Sequence, residues 1–260
     1  MDFNNQSRNS NGALYESVMS NPARNQAQGN YGQGNYGQAN YGQGNYSYTT
    51  VEEGSISRRT YNFIIGLIIL WGVGVDTFIC WYFKDTLVNT FSSNWVYILI
   101  YLGLVIGGMV IVNAAKSPAL SFLGYNLIVV GFGITLAMVV EYYAPAVVTE
   151  AFLVTAIVTG LMLLLGTLWQ EMFKKIGRIL LVALIGVVIT EAIMILITGT
   201  YPTWISVVSA LLFSGFIGYD WAKAQEATAT PKNAVLFATS LYVDIVNLFL
   251  NILRIVGNNK

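Results

Sequence analysis

Ionisable side chains are scarce in this sequence, and those that fall among apolar residues are where chemistry is to be sought. Of 260 residues 10% are charged and 55% are hydrophobic, whereas about a quarter of the residues of a soluble protein carry charge. A charge at the centre of a membrane helix costs at least about 2.5–3.5 kcal/mol, so each one retained there is a functional candidate. Five stand at such depth: Asp76, Glu191, Asp220, Asp244 and Arg254. Glu141 and Glu150 lie at the ends of apolar runs, where water makes them cheap.

The last run carries the most informative pattern. Ser240, Asp244, Asn247, Asn251 and Arg254 recur at spacings of four, three, four and three, which puts all five on one face of a helix. The other face, from Leu241 and Val243 through Ile252, is aliphatic. Lipid cannot satisfy a polar stripe, so the stripe must face a bundle interior or a water-filled path. Two readings stand: an ion pathway with an acid and a base along it, or a helix whose Ser and Asn side chains only bond its neighbours. Asp220 closes the preceding run in Gly218-Tyr219-Asp220. If that helix continues past Asp220, or its loop folds inward, an antiparallel neighbour brings Asp220 to Asp244. Two carboxylates at hydrogen-bond distance cannot both ionise easily, so such a pair titrates as a unit. Deprotonated, it offers oxygen ligands to a divalent hard cation such as Ca2+. Otherwise Asp220 is a solvated loop residue beside Lys223.

Positioning these groups falls to apolar runs of about 20 residues, the length that spans a bilayer as a helix. Seven occur, at about 61–82, 94–113, 120–142, 149–169, 179–199, 203–220 and 234–256. They are too long, and lack the alternation, for barrel strands. Breakers separate them: Lys116-Ser117-Pro118, Ala144-Pro145 and Gly199-Thr200-Tyr201-Pro202. The fold class is therefore an all-α integral membrane protein, a bundle of seven transmembrane helices. Residues 1–56 form a separate tail in which Asn-Tyr recurs at the centre of Gly-Asn-Tyr-Gly-Gln-like pentads, carrying Tyr31, Tyr36, Tyr41 and Tyr46. The repeats, built of Asn, Gly, Gln and Tyr without large aliphatic residues, cannot bury enough surface to offset ordering, so disorder is expected. The tail has no apolar stretch, so a cleavable secretory signal is not expected there. Lys and Arg cluster beside alternate loops (Arg58, Arg59, Lys116, Lys174, Lys175, Arg178, Lys223 and Lys232), which predicts a cytoplasmic N-terminus. Seven spans then leave the C-terminus outside, unless the last segment is re-entrant.

Several function classes are excluded by composition. The chain has no His, one Cys (Cys80) and equal numbers of basic and acidic residues, thirteen each. This removes His-based metal sites and Ser-His or Cys-His nucleophiles, excludes an intrachain disulfide, and argues against nucleic acid as a partner. No Walker, zincin or Gly-x-Ser-x-Gly pattern occurs, so an enzyme is not expected, nor is a cofactor. A retinal protein would need a mid-helix Lys, and an intramembrane aspartyl protease a Gly-x-Gly-Asp motif that Asp244 lacks.

At this point the residues carry a resemblance. Tyr219-Asp220, then 24 residues later Asp244 within Ser240-Leu241-Tyr242-Val243-Asp244-Ile245-Val246-Asn247-Leu248-Phe249, then Leu253-Arg254, resembles the signature ending of the Bax inhibitor-1 (TMBIM or YccA-like) family. Arg59-Thr60-Tyr61 resembles its opening, so the likeness spans about residues 57–257, within a membrane domain of residues 57–260, and omits the tail. The resemblance implies a seventh helix central among the other six and a pH-sensitive calcium leak. In that scheme Asp220 and Asp244 form a di-aspartyl sensor and the second helix opens or closes the path. The family's gate sets an Arg of that region against the sixth-helix aspartate; here it offers Lys116, which supplies charge without a bidentate fork. Family members also set a second-helix Glu against the seventh-helix Arg, and residues 94–113 contain no acid. Asp76, Glu141 and Glu191 are the candidate partners of Arg254 by depth. The competing implication is a regulator that binds a membrane protease or stress and cell-death machinery, with the tail as its contact. The short loops resemble those of bacterial members and imply the plasma membrane.

Overall fold

A computed structural model describes residues 54–91, 96–199 and 202–258. The repeats of the expected tail lie outside those residues. The described chain is helical throughout, and among the described residues there is no strand. The helices are α1 Arg58–Tyr82, α2 Lys84–Phe91, α3 Val96–Ala114, α4 Pro118–Val140, α5 Pro145–Leu168, α6 Gln170–Thr198, α7 Thr203–Glu226 and α8 Pro231–Asn258. All except the short α2 are long and apolar enough to cross a bilayer.

Local chemistry sets the ends. The Ser57 and Ser117 hydroxyls accept from the amides of Thr60 (3.1 Å) and Leu120 (3.3 Å), capping α1 and α4, because the first amides of a helix have no partner of their own. Pro118 and Pro145 start α4 and α5, where a missing N–H costs nothing. Gly199 ends α6 at φ 64°, a left-handed conformation that glycine adopts without penalty.

Two boundaries differ from the expected ones in ways that matter. α6 begins at Gln170, not near 179, because Lys174, Lys175 and Arg178 ride on its first turns with their charged ends in water. α7 runs past Asp220 to Glu226, so Asp220 is a helical residue with more than a turn beyond it. The first loop holds α2, tied back by Lys84 Nζ to Glu141 Oε2 at 2.6 Å, beyond the end of α4. α8 is unbroken for 28 residues, about 42 Å at 1.5 Å per residue, which exceeds a hydrocarbon core of roughly 30 Å. It is no re-entrant hairpin.

α8 is the central element. It packs along α7, α1, α5 and α4 and touches α3, while α6 packs chiefly on the far side of α7. Its aliphatic face meets protein: Leu241, Val246, Leu248, Leu250 and Ile252 are buried. Large apolar side chains cover the outside of the bundle instead, among them Leu70, Ile106, Ile157, Val182 and Leu211. An apolar exterior around a buried polar centre is the inside-out order that lipid demands.

Glycines permit the closest approaches. A Cβ on Gly108 would stand 2.6 Å from the Gly124 carbonyl oxygen, which joins α3 to α4 backbone to backbone; one on Gly166 would stand 2.7 Å from the carbonyl oxygen of Gly218, which joins α5 to α7. Small residues at such crossings are how helices associate where no hydrophobic effect drives them together.

Candidate functional site

α7 and α8 are antiparallel neighbours joined by four residues, Ala227 to Thr230. Because α7 continues through Asp220, its carboxyl faces α8 instead of open loop solvent. Asp220 lies close enough to interact with both Asp244 and Ser240, which are one turn apart on the same face of α8. Of the two placements the sequence left open for Asp220, beside Asp244 or solvated in a loop, the continuation of α7 to Glu226 gives the first. Asp244 is 7% exposed and its Oδ2 has no hydrogen-bond partner, whereas Asp220 is half-buried. The pair thus has an interior member and one nearer the helix end.

The surroundings hold the pair in place. Gly166 and Gly218 let α5 close on α7 two residues before Asp220, and the Phe173 ring of α6 fills the space a Gly218 side chain would need. Trp221 Nε1 donates to Thr167 Oγ1 at 2.8 Å, fixing the same level of α7 to α5. Beyond it, Arg58 of α1 donates to the carbonyls of Ala224 (3.1 Å) and Ala227 (2.8 Å) and stacks on Tyr61 at 5.0 Å. These carbonyls end α7 and would otherwise lack donors. Asn62 and Gln225 exchange amide hydrogen bonds, and Ile56 N–H donates to the Ala229 carbonyl at 2.8 Å. The start of α1 is thereby joined to the α7–α8 turn, a connection without a signal in sequence spacing.

The amides of Asn247 and Asn251 donate to carbonyls of α8 itself, those of Val243 and Asn247, both at 2.8 Å, and Asn251 Oδ1 is buried without a partner. Arg254 is half-buried and lines a polar cavity of about 250 Å³ with Tyr143, Thr203, Ser206, Gly257 and Asn258. Of the acids put forward for it, Glu141 is paired with Lys84, Asp76 accepts from Tyr242 Oη at 2.6 Å, and Glu191 accepts from Ser209 Oγ at 3.2 Å. Lys116 is exposed in the turn between α3 and α4. Among the described residues, Lys223 on its own helix is a cation in electrostatic reach of Asp220.

Sequence reasoning missed Tyr242 and Tyr125. Both are fully buried and meet edge to face at 5.4 Å, and Tyr125 Oη donates to the Ile68 carbonyl at 2.7 Å. Gly72, one turn before Asp76, is the signal that was available, since only glycine leaves room there for both rings.

Chemically, two carboxyls in contact share a proton readily and attract a cation when that proton leaves. Two carboxylates and the Ser240 hydroxyl are fewer than the six to eight oxygens of a resident Ca2+ site, and among the described residues no cluster of three or more metal-ligating side chains occurs. Water would complete the shell of any cation that passes.

The fold and this pair define a class: polytopic helical membrane proteins whose central helix carries a buried carboxyl joined to a second one on its neighbour. Residues 54–260 match the family described as Inhibitor of apoptosis-promoting Bax1, and the chain belongs to it. An uncharacterized membrane protein of Streptococcus pyogenes serotype M1 is 33% identical over 208 residues, covering 72% of this chain and 88% of its own. The inner membrane protein YbhL of Escherichia coli K12 is 28% identical over 210 residues, covering 73% and 87%. The Golgi anti-apoptotic protein of vaccinia virus strain Lister is 36% identical over 133 residues, covering 49% and 54%.

Proposed function

We propose that this protein is a pH-sensitive calcium leak channel in which Asp220 and Asp244 form the proton sensor. The observation that carries the reading is the contact between those carboxyls, one on α7 and one on the central helix, in a bundle where buried charge is otherwise scarce. With a proton on the pair, repulsion is relieved and α7 and α8 sit together. Loss of that proton leaves two negative charges in contact, which must be met by a cation, by Lys223, or by separation of the helices. Acidification therefore removes a cation's oxygen ligands and loosens any bridge to a basic gate residue, and deprotonation restores both. Ca2+ is the transported substrate in this scheme, and no cofactor takes part.

The N-terminal side faces the cytoplasm on the distribution of Lys and Arg, and the membrane is the bacterial plasma membrane, in keeping with the inner-membrane name of YbhL. The test is Ca2+ flux into liposomes across pH for the wild type, Asp220→Asn and Asp244→Asn. Either substitution keeps the shape and removes the titrating group, and should flatten the pH profile; an unchanged profile in both sinks the sensor.

One observation favours a second reading. The vaccinia relative is named an anti-apoptotic protein, which suits a regulator acting on a membrane protease or on stress and cell-death machinery. Removal of residues 1–56 separates the two: a channel keeps its flux, whereas a tail-dependent regulator loses its partner in a pull-down.

A further inference from the structure

Asp76 is a second buried acid, which the sensor scheme leaves unused. It lies on α1, 5% exposed, where α1, α4 and α8 meet. Its Oδ2 accepts from Tyr242 Oη at 2.6 Å, and its Oδ1 has no hydrogen-bond partner. Tyr242 precedes Asp244 by two residues, roughly 200° around the helix at 3.6 residues per turn, so α8 presents a phenol to one acid and a carboxyl to another on nearly opposite faces. The place is shaped for these groups. A Cβ at Gly72 would stand 2.8 Å from the Tyr242 ring, and one at Gly133 would stand 3.1 Å from Asp76 Oδ1.

We propose that Asp76 is a second proton-binding site, on the face of α8 turned away from the Asp220–Asp244 pair. The groups that surround its carboxyl are few and mostly neutral. From α8 comes Tyr242, a single neutral donor. From α4 comes Tyr125, whose hydroxyl is committed to the Ile68 carbonyl. On α1 itself Cys80 follows one turn later. From α2 the nearest basic group is Lys84, which is held by Glu141. Among the described residues no Lys or Arg forms an ion pair with Asp76. An ionised carboxylate here would have one donor for two oxygens and no counter-charge, in surroundings where uncompensated charge is most costly. One carboxyl and one phenol are too few ligands to hold a metal ion. A proton on Oδ1 removes the charge and leaves the Tyr242 bond to Oδ2 intact. Asp244 is joined to this site through Val243, so a change of charge at Asp76 alters the pull on Tyr242 and reaches the backbone that carries the sensor. That last step rests on the proposed sensor; the proton site does not.

The test is infrared spectroscopy of the full chain in liposomes across pH, following the carboxylic-acid C=O stretch. Asp76→Asn keeps an acceptor for Tyr242, and Tyr242→Phe keeps the ring. The expected result is an acid band that Asp76→Asn loses, that the Asp220→Asn/Asp244→Asn double variant retains, and that Tyr242→Phe shifts to higher frequency because its carbonyl loses a donor. The proposal is overturned if the wild type and Asp76→Asn have the same acid bands at every pH, or if the band disappears in the double variant. Should Asp76→Asn fail to fold, the Tyr242→Phe spectrum decides: no shift refutes the assignment. Flux in the double variant tests the sensor separately, so either idea fails without the other.

Discussion

Gly72→Ala tests the packing that holds the central helix. The added methyl would meet the Tyr125 hydroxyl directly and stand 2.8 and 2.9 Å from two atoms of the Tyr242 ring. Neither ring has room to retreat. Both are fully buried, Tyr242 is fastened to Asp76 and Tyr125 to the Ile68 carbonyl, and Phe132 stands 6.0 Å from Tyr242 on another side. Overpacking of this kind costs about 1–3 kcal/mol. Displacing Tyr125 also endangers its hydrogen bond, worth about 0.5–1.5 kcal/mol. Against these stands the gain from replacing a helical glycine by alanine, roughly 0.5–1 kcal/mol. The net loss is about 2 kcal/mol, or a fall of roughly 4–8 °C in Tm for a domain of this size. Gly74→Ala is the matched control: it lies on the same helix with nothing within 4 Å of the new methyl, so it should hold or gain stability. Thermal unfolding of both variants in the same detergent decides the matter. If Gly72→Ala melts no lower than Gly74→Ala, the close packing of Tyr125 and Tyr242 against α1 does not hold in solution and the account of the Asp76 site loses its frame.

Gly166→Ala sets a methyl against the Gly218 backbone, which cannot rotate away as a side chain would; it should cost about 1–3 kcal/mol in thermal unfolding and displace the pH profile of flux, because Asp220 is two residues further along. Arg58→Lys keeps the charge but replaces the two-nitrogen fork that reaches the Ala224 and Ala227 carbonyls by a single ammonium nitrogen, and a loss of about 1–2 kcal/mol should appear as faster hydrogen exchange in the α7–α8 turn, with Arg58→Met losing more. For Lys84, the hydrogen bond it donates to Glu141 first, and then the charge of that carboxylate, hold the ammonium above the ordinary lysine range. A raised folded-state value means that this link is fully present below the ordinary lysine value and is lost only as pH rises through the raised one. The Tm difference between wild type and Lys84→Met should therefore be small and constant from about pH 7 to about pH 9, and a difference that grows over that interval would contradict the pairing.

The class of protein was legible in composition, and the span count in the lengths of the apolar runs, because a bilayer imposes one length and one polarity on every segment that crosses it. The stripe from Ser240 to Arg254 was legible for the same reason: helical periodicity assigns residues to a face without reference to any neighbour. The ending around Asp220 and Asp244 identified the family. What periodicity could not supply was the partner of each face. That α7 runs beyond Asp220 goes with contacts at its end, where Arg58 of α1 donates to its last carbonyls and Asn62 exchanges amide hydrogen bonds with Gln225. The destination of Asp76 is the clearest instance. Its depth marked it as functional, and by depth alone it stood with Glu141 and Glu191 as a partner for Arg254. The tertiary structure gives it to Tyr242, a residue on the supposedly plain side of α8, through a gap that Gly72 and Gly133 leave open. A sequence specifies what each helix needs to bury, and only packing decides which neighbour satisfies it, because hydrogen bonds and van der Waals contacts act over a few ångströms between residues distant in the chain.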